Sequence, residues 1–300
     1  GNLVTNSSWR DAWLNEGFTS YVENRVMEEL YGKDRAVMEQ ALGLADLKRD
    51  IADAERPELT QLKLPKDLAH PDDAFSQVAY VKGQFFLIFL EQRFGRAEFD
   101  AFLKGYFDHF AFQSITTEDF IKYLHDELHV KNPTALTKAE LQEWIFQPGL
   151  PDTAANPQSD AFEMVEDRLV YWLDGKQDIA TLKGVSGNWS THEWLHFLNN
   201  LPDGLKAEQF AELDKAMSLT GTQNAEIAFA WYMQTIKGGY APAMPALDKF
   251  LMSVGRGKFI YRLYGALKDN GQEAMAKEVY ARARSGYHPI AQRRIDDILE

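Results

Sequence analysis

Two stretches of the sequence set chemistry-bearing side chains at helical spacing. In Trp13-Leu14-Asn15-Glu16-Gly17-Phe18-Thr19-Ser20-Tyr21-Val22-Glu23, the carboxylates of Glu16 and Glu23 stand seven residues apart. Two helical turns bring them to one face, with Thr19 and Ser20 between them. Apolar flanks predict that both carboxylates lie near or inside a core, where a carboxylate needs a cation, a metal or several donors. The same spacing also fits a polar stripe facing solvent, since Glu is seldom fully buried. The second stretch, His192-Glu193-Trp194-Leu195-His196, spells H-E-x-x-H. Two histidines one turn apart with a glutamate between them are what a zinc protease helix carries. Here the pattern is a decoy. At about 100° per residue, Trp194, Leu195, Phe197, Leu198 and Leu201 gather on one face and His192 and His196 on the other. The apolar face packs, so the histidines are expected in solvent. Glu208 and Glu212 follow in what reads as the next short helix. His125 and His129, four apart around Asp126 and Glu127, read as a solvated helix end.

The elements that must position these groups are helical. Apolar residues recur three and four apart from Asp11 to about Tyr31, and Arg35–Ala52 follows the same period. Glu55–Asp73 carries Pro57, Pro65 and Pro71 and reads as an ordered connection. Helices are then predicted over Phe75–Phe94, Glu98–Phe110 and Thr117–Leu128, with another opened by the capping box Thr137-Lys138-Ala139-Glu140. Breakers crowd the segment from Gln147 to Pro157, which we take as the boundary: a first domain over 1–150, a linker over 151–157 and a second domain over 158–300. Short amphipathic segments near 160–174, 191–200, 205–218, 223–237, 241–253, 257–269, 272–285 and 288–299 predict an armadillo- or HEAT-like array. It lacks a strict sequence repeat. The fold class expected is all-α, with no strand pattern anywhere.

Composition narrows the function classes. The 300 residues are 45% hydrophobic, 13% aromatic and 26% charged, which are globular proportions. No apolar run approaches the roughly 18 residues of a membrane span. A net charge of −13 argues against nucleic acid or an anionic membrane as partner. With no cysteine, disulfide frameworks, thiolate metal sites and cysteine nucleophiles are excluded. The compartment stays open, with the cytoplasm favoured over periplasm or secretion, and a monomer is expected. The sequons at Asn6 and Asn188 are read as chance and the seven tryptophans as packing.

The stretch GNLVTNSSWRDAWLNEGFTSYVE resembles the zinc aminopeptidases grouped with leukotriene A4 hydrolase. In that family an H-E-x-x-H helix supplies two zinc histidines and a general base, and a later W-L-N-E-G glutamate supplies the third ligand. Glu16 matches that ligand. Glu23 matches a carboxylate that orients a ligating histidine. Asp73-Ala74-Phe75-Ser76-Gln77-Val78-Ala79-Tyr80-Val81-Lys82-Gly83 resembles the segment with the family's catalytic tyrosine, which Tyr80 matches. Gly255-Arg256-Gly257-Lys258-Phe259 resembles the basic pair that receives the carboxylate end of a short peptide. Taken alone, Tyr80 reads as a core tyrosine, and Arg256 with Lys258 as a solvated basic turn.

The resemblance implies the helical lobe of a thermolysin-like catalytic domain followed by a helical C-terminal domain. It implies one zinc ion, short peptide substrates and a hydrolytic aminopeptidase activity. Counting back from Glu16, both zinc histidines and the base fall upstream of Gly1, so the 300 residues alone are expected to be inactive. Phe75 stands where the epoxide-hydrolysing member has a second tyrosine, which argues against epoxide hydrolysis. Val81 replaces an acidic residue beside the catalytic tyrosine. The rival readings are a non-catalytic helical interaction module and a metalloenzyme built on His192, Glu193 and His196.

Overall fold

The computed structural model describes residues 1–68 and 76–300, and its chain divides into two units, Gly1–Ser159 and Asp160–Glu300. In the first unit, β1 (Val4–Asn6) leads through a 3-10 turn (Trp9–Asp11) into α1 (Trp13–Tyr31). Gly32, at φ 91°, ends α1 in a backbone region that favours glycine and starts α2 (Lys33–Ala52). A π-helical turn, Val78–Lys82, runs into α3 (Gly83–Phe94). Gly95, at φ 86°, repeats the Gly32 device before α4 (Arg96–His109). β2 (Gln113–Ile115) pairs in parallel with β1, Thr5 opposite Ser114. The capping boxes Thr116/Asp119 and Thr137/Glu140 open α5 (Thr117–Glu127) and α6 (Lys138–Phe146).

The core of this unit is aromatic. Trp13 meets Phe86 and Phe120 edge-on at 5.6 and 5.1 Å, and Phe18 stacks on Tyr106 at 4.7 Å. Such pairs add about 0.5–1.5 kcal/mol each beyond their buried area. α1 lies against α2, α3 and the π turn.

The second unit is a two-layered array of helices. They are α7 (Asp160–Leu173), α8 (Ile179–Ser186), α9 (Thr191–Asn199), α10 (Ala207–Met217), α11 (Ala225–Lys237), α12 (Met244–Ser253), α13 (Gly257–Asp269), α14 (Glu273–Ala283) and α15 (Pro289–Leu299). Alternate helices pack together: α7 on α9, α9 on α11, α11 on α13 and α13 on α15 form one layer. The pairs α8 with α10 and α12 with α14 belong to the other. No helix among the described residues is long and apolar enough to cross a membrane.

Among the described residues the chain is all-α apart from one strand pair. That pair corrects the expectation of no strands: three residues are too few to display alternation. α8 is a helix the period did not announce, because its eight residues bury only Leu182 and Ser186. The helix expected over Phe75–Phe94 begins as the π turn and becomes regular at Gly83. Asp73, Ala74 and Phe75 lie outside the described residues, and with them the comparison at Phe75.

Candidate functional site

Glu16 sits in the first turn of α1, whose start is fixed by a buried polar hub. Asp11 Oδ1 accepts from Lys63 Nζ at 2.6 Å, from Thr117 N at 2.8 Å and from Thr117 Oγ1 at 2.7 Å. Ser8 Oγ donates to Asp11 Oδ2 at 2.7 Å, and Trp13 Nε1 to Thr117 Oγ1 at 3.0 Å. Burial alone would raise the Asp11 carboxyl; the hydrogen bonds from Lys63, Thr117 and Ser8 hold it below its ordinary value. Farther along, Arg25 reaches Tyr21 Oη at 2.7 Å and Asp100 at 2.9 Å, and Tyr21 donates to Glu91. These contacts fasten α1 to α3 and α4.

Tyr80 is brought to Glu16 by a backbone crossing. A Cβ on Gly17 would lie 2.8 Å from Gly83 Cα and 3.3 Å from Ala79 O; one on Gly83 would lie 2.8 Å from Gly17 Cα. Only two glycines allow α1 and the start of α3 to approach so closely. Glu16 immediately precedes one of them, and Tyr80 stands three residues before the other. Tyr80 is half-buried, and the pKa of its hydroxyl is raised, first by burial and then by the negative charge of Glu16. It therefore stays a protonated donor near neutral pH. Glu16 is half-buried, and among the described residues its carboxylate has no hydrogen-bond or ion-pair partner.

On the other side of the π turn, Lys82 is fully buried. Its Nζ donates to Thr60 O and Gln147 O, both at 2.9 Å. Burial lowers its pKa to about 7, against the opposing pull of the Glu143 carboxylate. This lysine ties the Tyr80 turn to the 57–61 segment and to the end of α6. Nothing in the apolar pattern pointed to it.

Glu23 corrects an expectation. It is exposed, as are Val22, Val26 and Leu30 on the same side of α1. α1 buries Leu14, Gly17, Phe18, Tyr21 and Asn24 instead. Apolar residues recur on both faces of this helix, so period alone could not say which face turns inward.

Arg256 and Lys258 belong to the second unit, at the N-terminal end of α13. Both are exposed. No side chain caps that helix end, which leaves amides of its first turn pointing outward. Arg256 and Lys258 lie 5.8 and 5.4 Å from the Phe259 ring. Phe259 leans on Phe229 at 5.2 Å, and Arg262 covers Phe229 at 5.1 Å. Lys258 Nζ donates to both oxygens of Glu226 at 2.7 Å, a partner the sequence did not suggest. The preceding helix end is held by Tyr287, whose hydroxyl donates to Leu251 O at 2.6 Å.

The H-E-x-x-H stretch is engaged in structure. Glu193 closes a capping box with Ser190, accepting from Ser190 N at 2.7 Å. His192 and His196 are half-buried, which corrects the expectation that they point to solvent. His196 stacks on Phe162 at 4.0 Å and its Nε2 meets Glu166 at 2.7 Å, because α7 covers the face that the helical wheel left outside. Glu212 binds Trp172 Nε1 at 3.1 Å. Among the described residues no group of three or more His, Asp or Glu side chains is arranged to hold a metal ion.

Comparison with known proteins follows the two units. Residues 1–144 match the peptidase family M1 domain, and residues 189–299 match the leukotriene A4 hydrolase C-terminal domain. The chain belongs to peptidase family M1. Within that family its relatives include leucine aminopeptidase 2 of Yarrowia lipolytica, 32% identical over 319 residues, which span all of this chain and 49% of the relative. Aminopeptidase B of Mus musculus is 31% identical over the whole chain and 48% of its own length. This M1 chain thus spans about half the length of the curated relatives it matches. Yeast LTA4 hydrolase in complex with bestatin superposes with a TM-score of 0.85 at 26% identity, covering all of this chain and 52% of that one. The native enzyme from Saccharomyces cerevisiae gives 0.77 at 26%, again over all of this chain and 51% of that one.

Proposed function

We propose that this M1 protein is a zinc aminopeptidase that removes N-terminal residues from short peptides. Glu16 is one zinc ligand, and Glu23 offers an exposed carboxylate to orient a ligating histidine. Tyr80 donates its hydroxyl to the oxyanion that forms on the peptide carbonyl. Arg256 and Lys258 receive the carboxylate end of the peptide.

The approach of a partner-free Glu16 to Tyr80 across the Gly17–Gly83 crossing carries this reading. A phenol whose pKa is raised keeps its proton and can donate it as a hydrogen bond without giving it up. Zinc, when bound, supplies a Lewis acid for the carbonyl and an activated water. A catalytic zinc takes three protein ligands, and Glu16 is a single donor. The 300 residues alone are therefore inactive in this proposal, and the remaining ligands come from outside them.

The test is release of the N-terminal residue from a tripeptide by the natural gene product. Tyr80→Phe should lower kcat by about 10²–10³ with zinc content unchanged. A loss below about threefold would remove Tyr80 from the mechanism.

A further inference from the structure

We infer that Glu226 sets how strongly the Arg256/Lys258 turn prefers a peptide with a free carboxylate. The inference rests on the reading of that turn as the receiver of the peptide's C-terminal end. The aromatic pair Phe229 and Phe259 carries three cations, Arg256, Lys258 and Arg262, and the Glu226 carboxylate engages Lys258. Both oxygens of Glu226 contact Lys258 Nζ at 2.7 Å. An acid in the first turn of α11 is explained by the helix dipole. Its bidentate reach to a lysine 32 residues away is not. Asn224 Oδ1 accepts from the Glu226 N–H at 3.0 Å, so the backbone from which Glu226 extends is fixed.

The pair is half-exposed, at 43% for Lys258 and 31% for Glu226, and such pairs exchange readily. A peptide carboxylate arriving at Lys258 meets an ammonium already neutralised. It must displace Glu226 or sit beside a like charge, and either course weakens its binding. A C-terminal amide has no charge to lose. Glu226 thus lowers the discrimination that the cations would otherwise exert, and helps keep product peptides from being retained.

The experiment uses the natural gene product with a tripeptide and its C-terminal amide, measuring KM and kcat for each. Glu226→Gln should lower KM for the free acid about three- to tenfold, with KM for the amide and kcat for both moving less than about twofold. Lys258→Gln should erase the preference for the acid and make Glu226→Gln silent in the double variant. An acid-to-amide ratio of KM unchanged by Glu226→Gln, while the unsubstituted protein does prefer the acid, would overturn the inference and leave the reading of the basic turn standing. Equal KM for acid and amide in the unsubstituted protein would overturn both.

Discussion

Two helices of this chain each present a glutamate in a metalloprotease-like setting, and they differ in what the glutamate already does. Glu193 on α9 has the motif's letters but spends its carboxylate on the Ser190 amide, while His196 is stacked on Phe162 and held by Glu166. Glu16 on α1 lacks the motif's letters, yet among the described residues its carboxylate is unengaged and half-buried, and its charge acts on the Tyr80 hydroxyl. Availability of the polar atom, more than the pattern of letters, separates a candidate ligand from a helix cap.

The largest effect should come from pressing this contrast. In the natural gene product, Glu16→Gln should reduce peptide hydrolysis by about 100-fold or more if Glu16 holds the zinc as proposed. His192→Gln should leave kcat/KM within about twofold. Similar losses from both would erase the distinction between the two helices.

Next is the crossing that brings Glu16 to Tyr80. Gly83→Ala puts a methyl 2.8 Å from Gly17 Cα, backbone against backbone, where no side chain can yield. It should destabilise the first unit by about 1–3 kcal/mol, lowering Tm by about 2–4 °C per kcal/mol. Gly265→Ala, with open space around it, should cost nothing comparable. A stable Gly83→Ala variant with unaltered activity would show that the close approach does not matter.

Lys82 gives a pH test. Its pKa falls from an ordinary 10.5 to about 7 on folding. Between those values the unfolded chain holds a proton that the folded chain releases, so the contribution of Lys82 to stability rises with pH from about 7 to about 10. Denaturant unfolding across that range should show a steeper rise in the unsubstituted chain than in Lys82→Met. Parallel profiles would mean the lysine is no more perturbed folded than unfolded. The smallest effect belongs to the decoy: Glu193→Ala removes half a capping box and should cost about 0.5–1 kcal/mol, read as a small drop in Tm, with metal content unchanged.

Much of the fold was legible because its signals are local. The capping boxes at Thr116 and Thr137 and the amphipathic period of the second unit each act within a few residues. Less of the site was legible, because its geometry is made by contacts far apart in sequence. Lys82 reaches Thr60 and Gln147, Asp11 reaches Lys63 and Thr117, and Glu226 reaches Lys258. A buried lysine or aspartate is indistinguishable from a surface one until its partners are located. The glycines at 17 and 83 were the clue that could have been read, since an interior helix glycine carries a stability penalty unless another backbone needs the space. The wheel drawn for α9 misplaced its histidines because a wheel describes one helix and α7 covers the other face.

Zinc bound per molecule of the natural gene product should be measured by atomic emission for Glu16→Gln and, beside it, for His192→Gln/His196→Gln. The first variant should lose its zinc and the second should keep it. Zinc retained by Glu16→Gln and lost with the two histidines would contradict the proposed role of Glu16.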